Sequence, residues 1–459
     1  MFQYTVATLV LLLNASILFA QLTEFRAGDK LSASEMNKNF EYFKEKFQMR
    51  TTQVNCPNDS IQEALKEYNH IQISGECSEN IFIELKGWNG PKILNSNFIY
   101  IEGTGSQRST KILAKDTNQP TLFVNDSITV RVENITLENG NNVVEVGRNA
   151  LFYGGEINIF NSDGSGINVY QGAYARVQNL NLDVTGRGLV SELSGTILIR
   201  DAVLENAFRA IYLRSNSHVR IFDLLIKNSQ YPIDSEQSNT TSTNLNIESD
   251  SNIIGLRFYR STGDFNNLNF NNAKIGMRQS NLNIFNSNIT GQLNANREDL
   301  FTIGYNSSLM ISDSTVRGYD SEAIVLYDNS YVLSRGTKFI SDIQTLVIGP
   351  FASASLYDSE VSSTSEHAID VSFNSGLRLN DTKIQSPSDT DITINGTSSV
   401  ILSQSSSSLN EDVSISLNNN SYLSADGGVS LDSINCSSGS RVSLGSSTTI
   451  KNLDSDCTD

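Results

Sequence analysis

Histidine is scarce in this chain: His70, His218 and His367 are the three in 459 residues. They lie in separate stretches that cannot bring them together, so each reads as an ordinary surface or turn residue. Proline is also sparse, at six, and only 18% of residues are charged. With a sustained apolar alternation, that composition excludes a disordered chain. Lys and Arg total 33 against 50 Asp and Glu, a net charge of -17 and a pI near 4.7. Nucleic acid requires a basic face, and an anionic membrane attracts the same charge, so both are excluded as partners. The carboxylates leave room for weak Ca²⁺ binding, and no other cofactor is expected. The four cysteines do not read as a zinc site, having neither CxxC-like spacing nor a nearby His.

What is present is a repeat. From Asn134 to Gln404 a polar residue recurs about every 22 residues, with an apolar residue two before it and usually another three after. Examples are Val132-Glu133-Asn134-Ile135, Val177-Gln178-Asn179-Leu180 and Ile199-Arg200-Asp201-Ala202, and it returns near Asp223, Asn267, Asn286, Asp313, Asp358 and Asp381. Strand-like alternation at such a period predicts an all-β, stacked solenoid. Ile303, Leu309, Ile311 and Val316 in one coil, and Val371, Leu377, Leu379 and Ile384 in a later one, are expected to point inward. The Asn or Asp marks a bend, because these residues tolerate left-handed backbone and bond neighbouring coils. The row of polar residues is therefore structural. From Ser403 onward the inward residues shrink to Val413, Ile415, Val429 and Leu431, so the solenoid is expected to narrow.

Residues 1–20 read as a signal peptide: Thr5 to Ala20 is apolar except for Asn14, too short for a membrane span. This implies a secreted, periplasmic or surface location and no membrane span after removal. Cys56 and Cys77 lie near one end, Cys436 and Cys457 near the other, each pair separated by 21. Of three possible pairings, the local one clips both ends of the stack, each loop contributing about 3 kcal/mol. Residues 21–55 form a helical leader, with a capping box from Ser32 to Glu35. Within it, residues 25–40 resemble a short segment of bacterial secreted and tail-fibre-like proteins, so residues 25–50 are candidates for self-association.

The solenoid domain is expected over 56–459. Ser60 to Tyr68 reads as a short helix with its own Ser60/Glu63 capping box. Ile71-Gln72-Ile73, Ile81-Phe82-Ile83 and Ile99-Tyr100-Ile101 follow as strands. A helix, such strands and the long repeat resemble the right-handed parallel β-helix proteins of the pectin-lyase-like superfamily. The resemblance implies a helix capping the first coil and a solenoid running almost to the C-terminus. The superfamily includes lyases and hydrolases of acidic polysaccharides, but this chain has no Asp-Asp pair, no Gly-His-Gly and no Arg-Ile-Lys.

Three places are candidates for a site. Between Asn286 and Asp313 the period stretches, and the extra residues end in Arg297-Glu298-Asp299, the best catalytic candidates if there are any. A second long turn is expected from Tyr231 to Asn244. Trp88, the one tryptophan, either stacks on a sugar or covers the N-terminal coil. Tyr259, Tyr305, Phe351 and Phe373 share one phase of the coil, with Tyr327 close to it. Facing outward they make a ladder for an extended polysaccharide, and facing inward a core stack; the sequence favours the inward or turn-packed arrangement. The reading is an exported binding or scaffold protein for polysaccharide, non-enzymatic, with a carbohydrate-active lyase or hydrolase as the alternative.

Overall fold

A computed structural model describes residues 49–84, 97–105, 109–248, 255–291, 299–403, 413–437 and 439–457. The leader up to residue 48, Trp88, Arg297 and Glu298 lie outside them. The chain is a parallel β-helix of about 17 turns. Each coil gives one strand to a first face, such as Arg187–Ser191 or Tyr231–Glu236. A longer strand, such as Thr129–Glu138, then bends to supply a second and a third face. Every cross-coil pairing is parallel and mostly in strict register, so residues of one phase stack along the axis. Ile135, Ile157, Leu180, Ala202, Leu224, Leu245 and Leu268 form one such inward row, all buried.

The bend falls where the repeat places it. Asn134, Asn179, Asp201, Asp223, Asn244, Asn267, Asn286, Asp313, Asp358 and Asp381 all have φ between 48° and 60°. Neighbouring members bond each other: Asn244 Nδ2 donates to Asp223 Oδ1 at 2.6 Å, and Asn267 Nδ2 to Asn244 Oδ1 at 2.7 Å. The inward phase also holds, since Ile303, Ile311, Val316 and Val371 are fully buried and Leu309, Leu377, Leu379 and Ile384 nearly so. The late coils keep a core of smaller residues, with Val413, Ile415, Val429 and Leu431 buried.

Both ends are clipped as expected, by Cys56–Cys77 and Cys436–Cys457. The pairing ladder begins at Thr51–Asn55, one strand before the expected start at 56. The capping helix α1 (Ile61–Ala64) is shorter than the expected 60–68. Ser60 caps it, its Oγ accepting from Glu63 N–H at 3.2 Å. The returning arm of the box is not Glu63, which pairs with Lys66. Glu79, just after the strand Glu76–Ser78, instead accepts from Ile61 N–H at 2.7 Å and Gln62 N–H at 3.1 Å. Ile61 and Leu65 close the core beneath it.

A row of buried serines at one corner has no apolar signature in the sequence. Ser238, Ser261, Ser280, Ser307 and Ser330 occupy equivalent positions in successive coils. Each backbone N–H donates to the hydroxyl of the next, Ser261 to Ser280 at 3.2 Å and Ser280 to Ser307 at 3.2 Å. The Ser280 hydroxyl donates to Arg278 O at 2.8 Å. Ser280→Ala removes the acceptor of a buried N–H, so it should cost about 1–3 kcal/mol in thermal melts. Ser308→Ala, which loses only an exposed bond to Asn281, should stay within about 0.5 kcal/mol.

Candidate functional site

Outward positions of the first face stack as regularly as inward ones. One outward row runs Tyr212, Asp234, Arg257, Gly276, Thr302; the row beside it runs Arg214, Glu236, Tyr259, Arg278, Gly304. Glycine at 276 and 304 removes side chains from the floor, since a Cβ at Gly276 would stand in open space and one at Gly304 would lie 3.0 Å from the Tyr327 ring. Over this floor opens a cavity of about 550 Å³, lined by Asp234, Glu236, Arg257, Arg278, Tyr259, Tyr305 and Tyr327.

The aromatic phase does not pack inward. Tyr305, Phe351 and Phe373 are 48%, 59% and 63% exposed, correcting the inward or turn-packed expectation. The cause is local: all three carry φ between 55° and 59°, the left-handed corner where the chain turns off the first face. Bulky residues seldom adopt that conformation, so the turn holds them outward at a cost. Tyr305 joins Tyr259 and Tyr327 around the cavity. Phe351 and Phe373 stand at the same corner of later coils, away from it. Arg278 lies over the Tyr305 ring at 4.2 Å and the Tyr259 ring at 5.7 Å.

Asp234 organises the opposite wall. It is almost buried and accepts from Arg257 through two bonds, Nη2 to Oδ2 at 2.7 Å and Nε to Oδ1 at 3.2 Å. Arg209 Nε approaches Oδ2 to 3.0 Å, off the hydrogen-bond direction. The Tyr231 ring lies 4.4 Å from the Arg257 guanidinium. Burial pulls the Arg257 pKa down, but the bonds and charge of Asp234 outweigh it, and the guanidinium is held above its ordinary value. Glu236 is looser, with Arg214 at 3.5 Å. Burial raises the Tyr327 pKa, and the charge of Asp299 raises it further. Of Arg297, Glu298 and Asp299, only Asp299 lies among the described residues.

The expected long turn at 231–244 is a correction: Tyr231–Glu236 and Asn239–Glu248 are both strands, and the first carries Asp234 and Glu236. Sequence reading missed these two carboxylates, and Arg257 and Arg278 with them. The one signal for them was arginine returning about one coil apart. Of the histidines, His70 stacks on Tyr100 at 4.7 Å and meets Glu102 at 3.0 Å, while His367 bonds Gln344 at 2.8 Å. No group of three His, Cys, Asp or Glu among the described residues could hold a metal ion. No helix among them is long and apolar enough to cross a membrane.

No family model matches the chain, and no curated protein matches it. Several solved structures give distant likenesses, among them the following. The catalytic domain of a GH87 α-1,3-glucanase in complex with nigerose shares 11% identity at a TM-score of 0.33, covering 82% of this chain and 68% of that one. The A-module of mannuronan C-5 epimerase AlgE6 from Azotobacter vinelandii shares 9% at 0.25, covering 86% and 99%. Tailspike protein 3 of bacteriophage CBA120 shares 11% at 0.16, covering 97% and 68%. The chain's own parallel strand ladder, independent of these likenesses, makes it a parallel β-helix.

Proposed function

We propose that this protein is an exported β-helix that binds a polysaccharide along its first face without turning it over. The observation that carries the reading is the convergence of Tyr259, Tyr305 and Tyr327 with Arg278 on one open cavity. Aromatic rings present flat apolar surface to the C–H face of a sugar, and arginine supplies donors to its hydroxyls or carboxylates. The two disulfides fit an oxidising compartment outside the cytoplasm. Asp234 is occupied by two arginines, which suits it to positioning Arg257 and not to attacking a substrate.

Affinity electrophoresis against neutral and acidic polysaccharides tests the reading. At least one should retard the protein, and Tyr305→Ala or Arg278→Ala should weaken retardation about tenfold, near 1.4 kcal/mol. No retardation by any of them, or full retention in both variants, would refute it. The enzymatic alternative draws on one specific observation: two carboxylates and two arginines, Asp234, Glu236, Arg257 and Arg278, share the cavity. Release of reducing ends, or of unsaturated products read by ultraviolet absorbance, and its loss in Glu236→Gln, would favour that alternative.

A further inference from the structure

The second face carries a different arrangement, on a separate side of the solenoid. One outward row runs Tyr100, Arg131, Tyr153, Arg176, Leu198, Arg220. The adjacent row runs Glu102, Glu133, Gly155, Gln178, Arg200, Phe222. Gly155 interrupts the second row, and a Cβ there would lie 3.1 Å from Glu133 Oε1. The missing side chain opens a cavity of about 380 Å³, walled by Phe98 and Tyr153 on the apolar side and by Arg131, Arg176, Glu133 and Gln178 on the polar side.

Charge is distributed unevenly around it. Glu133 is tied down, accepting from Arg131 Nε at 2.8 Å and from the Tyr100 hydroxyl at 2.7 Å. Arg176, Arg200 and Arg220 are exposed and make no ion pair among the described residues. Arg200 and Arg220 lie 5.3 and 4.9 Å from the Phe222 ring, which holds them along the face. Arg176 and Arg220 are two coils apart, so about 10 Å separates their rungs. Three free guanidinium groups on one face are unexpected in a chain of net charge -17. They are costly to gather unless an anion is to be met there.

We propose that this second face is a separate site for an acidic glycan, seating one sugar in the Gly155 cavity and its anionic groups on Arg176, Arg200 and Arg220. The anion is a carboxylate or a sulfate ester, which share the planar or forked acceptor chemistry that arginine matches. Phe98 and Tyr153 cover a ring face, and Glu133 and Gln178 accept from hydroxyls. Glu133 in the wall also disfavours a nucleic acid, whose backbone carries a charge at every unit and few hydroxyl donors. This site does not depend on the first-face reading, because it shares no residue with that cavity.

Calorimetric titration with an oligouronate, a sulfated oligosaccharide and the carboxyl-reduced oligouronate tests it on the full-length protein. Wild type should bind one of the acidic oligomers, less tightly as salt rises, and should bind the reduced oligomer weakly or not at all. The tighter of the two acidic oligomers identifies the anion. Arg176→Gln and Arg220→Gln should each weaken that binding about tenfold, and Tyr305→Ala should leave it unchanged. Both arginines are exposed, so the variants should melt with wild type, and Arg220→Lys should restore part of the affinity. The site is overturned if no acidic oligomer binds, if the reduced oligomer binds as well, or if the arginine variants bind normally. Loss confined to Tyr305→Ala would move the binding to the first face, and tighter binding of single-stranded DNA would overturn the glycan assignment.

Discussion

Ile311→Asp should destabilise the protein by at least about 4–5 kcal/mol, while Asp313→Asn, two residues on, should stay within about 0.5 kcal/mol. Ile311 is fully buried in a row between Ile284 and Ser334, so a carboxylate there meets no counter-charge and no water, only a Ser334 hydroxyl already bonded to Ser359. Asp313 sits at φ 49°, a conformation asparagine adopts as readily. A solenoid coil contacts only its neighbours, so the damage should begin locally. Amide exchange should therefore accelerate first in the strands at Ser308–Ser312 and their flanking coils, before the whole stack melts. Equal losses for the two variants would place the inward phase one residue off.

Asp234→Ala should cost both stability and binding, and more of each than Glu236→Ala. Removing one partner of a buried ion pair typically costs about 3–5 kcal/mol. Arg257 is 45% exposed and Arg209 23%, so water takes up part of the loss, and about 1–3 kcal/mol is expected here. Without the two bonds it donates to Asp234, Arg257 is no longer fixed across the cavity from Arg278. Polysaccharide retardation should weaken with it by roughly an order of magnitude. Glu236 meets only a long contact with a half-exposed Arg214, so its loss should shift the melt by less than about 0.5 kcal/mol. Thermal melts and affinity electrophoresis on the two variants give the comparison directly. An unchanged melt for Asp234→Ala would mean that the arginines hold their places without it.

The acidic and basic groups of both faces illustrate what a solenoid hides. Asp234, Arg257, Gly276 and Thr302 are each about one coil apart in the chain, yet successive members pair directly across neighbouring rungs. Nothing in a linear window brings them together. Tyr231–Asn244 was expected as a turn, yet Pro232 and the polar neighbours of Asp234 lie in a strand, because a strand exposed on one side carries the same residues as a loop. Tyr305 could not be oriented from its type. An aromatic residue fits a core row or a left-handed corner, and only the backbone conformation distinguished them. Nothing in the sequence marks Ser280 as buried, because the hydroxyl ladder that satisfies it runs between coils.

By itself the sequence determined the repeat, its inward rows at Ile311 and Val371, the bends at Asn134 through Asp381, and the pairing of Cys56 with Cys77 and Cys436 with Cys457. These depend on periodicity and local conformational preference, which a chain carries in its own order. The tertiary structure alone decided which outward residues meet: Tyr305 with Arg278, Asp234 between two arginines, Gly155 beside Gln178. Those contacts depend on cross-coil register, and the length of each turn sets the register only once the coils have stacked.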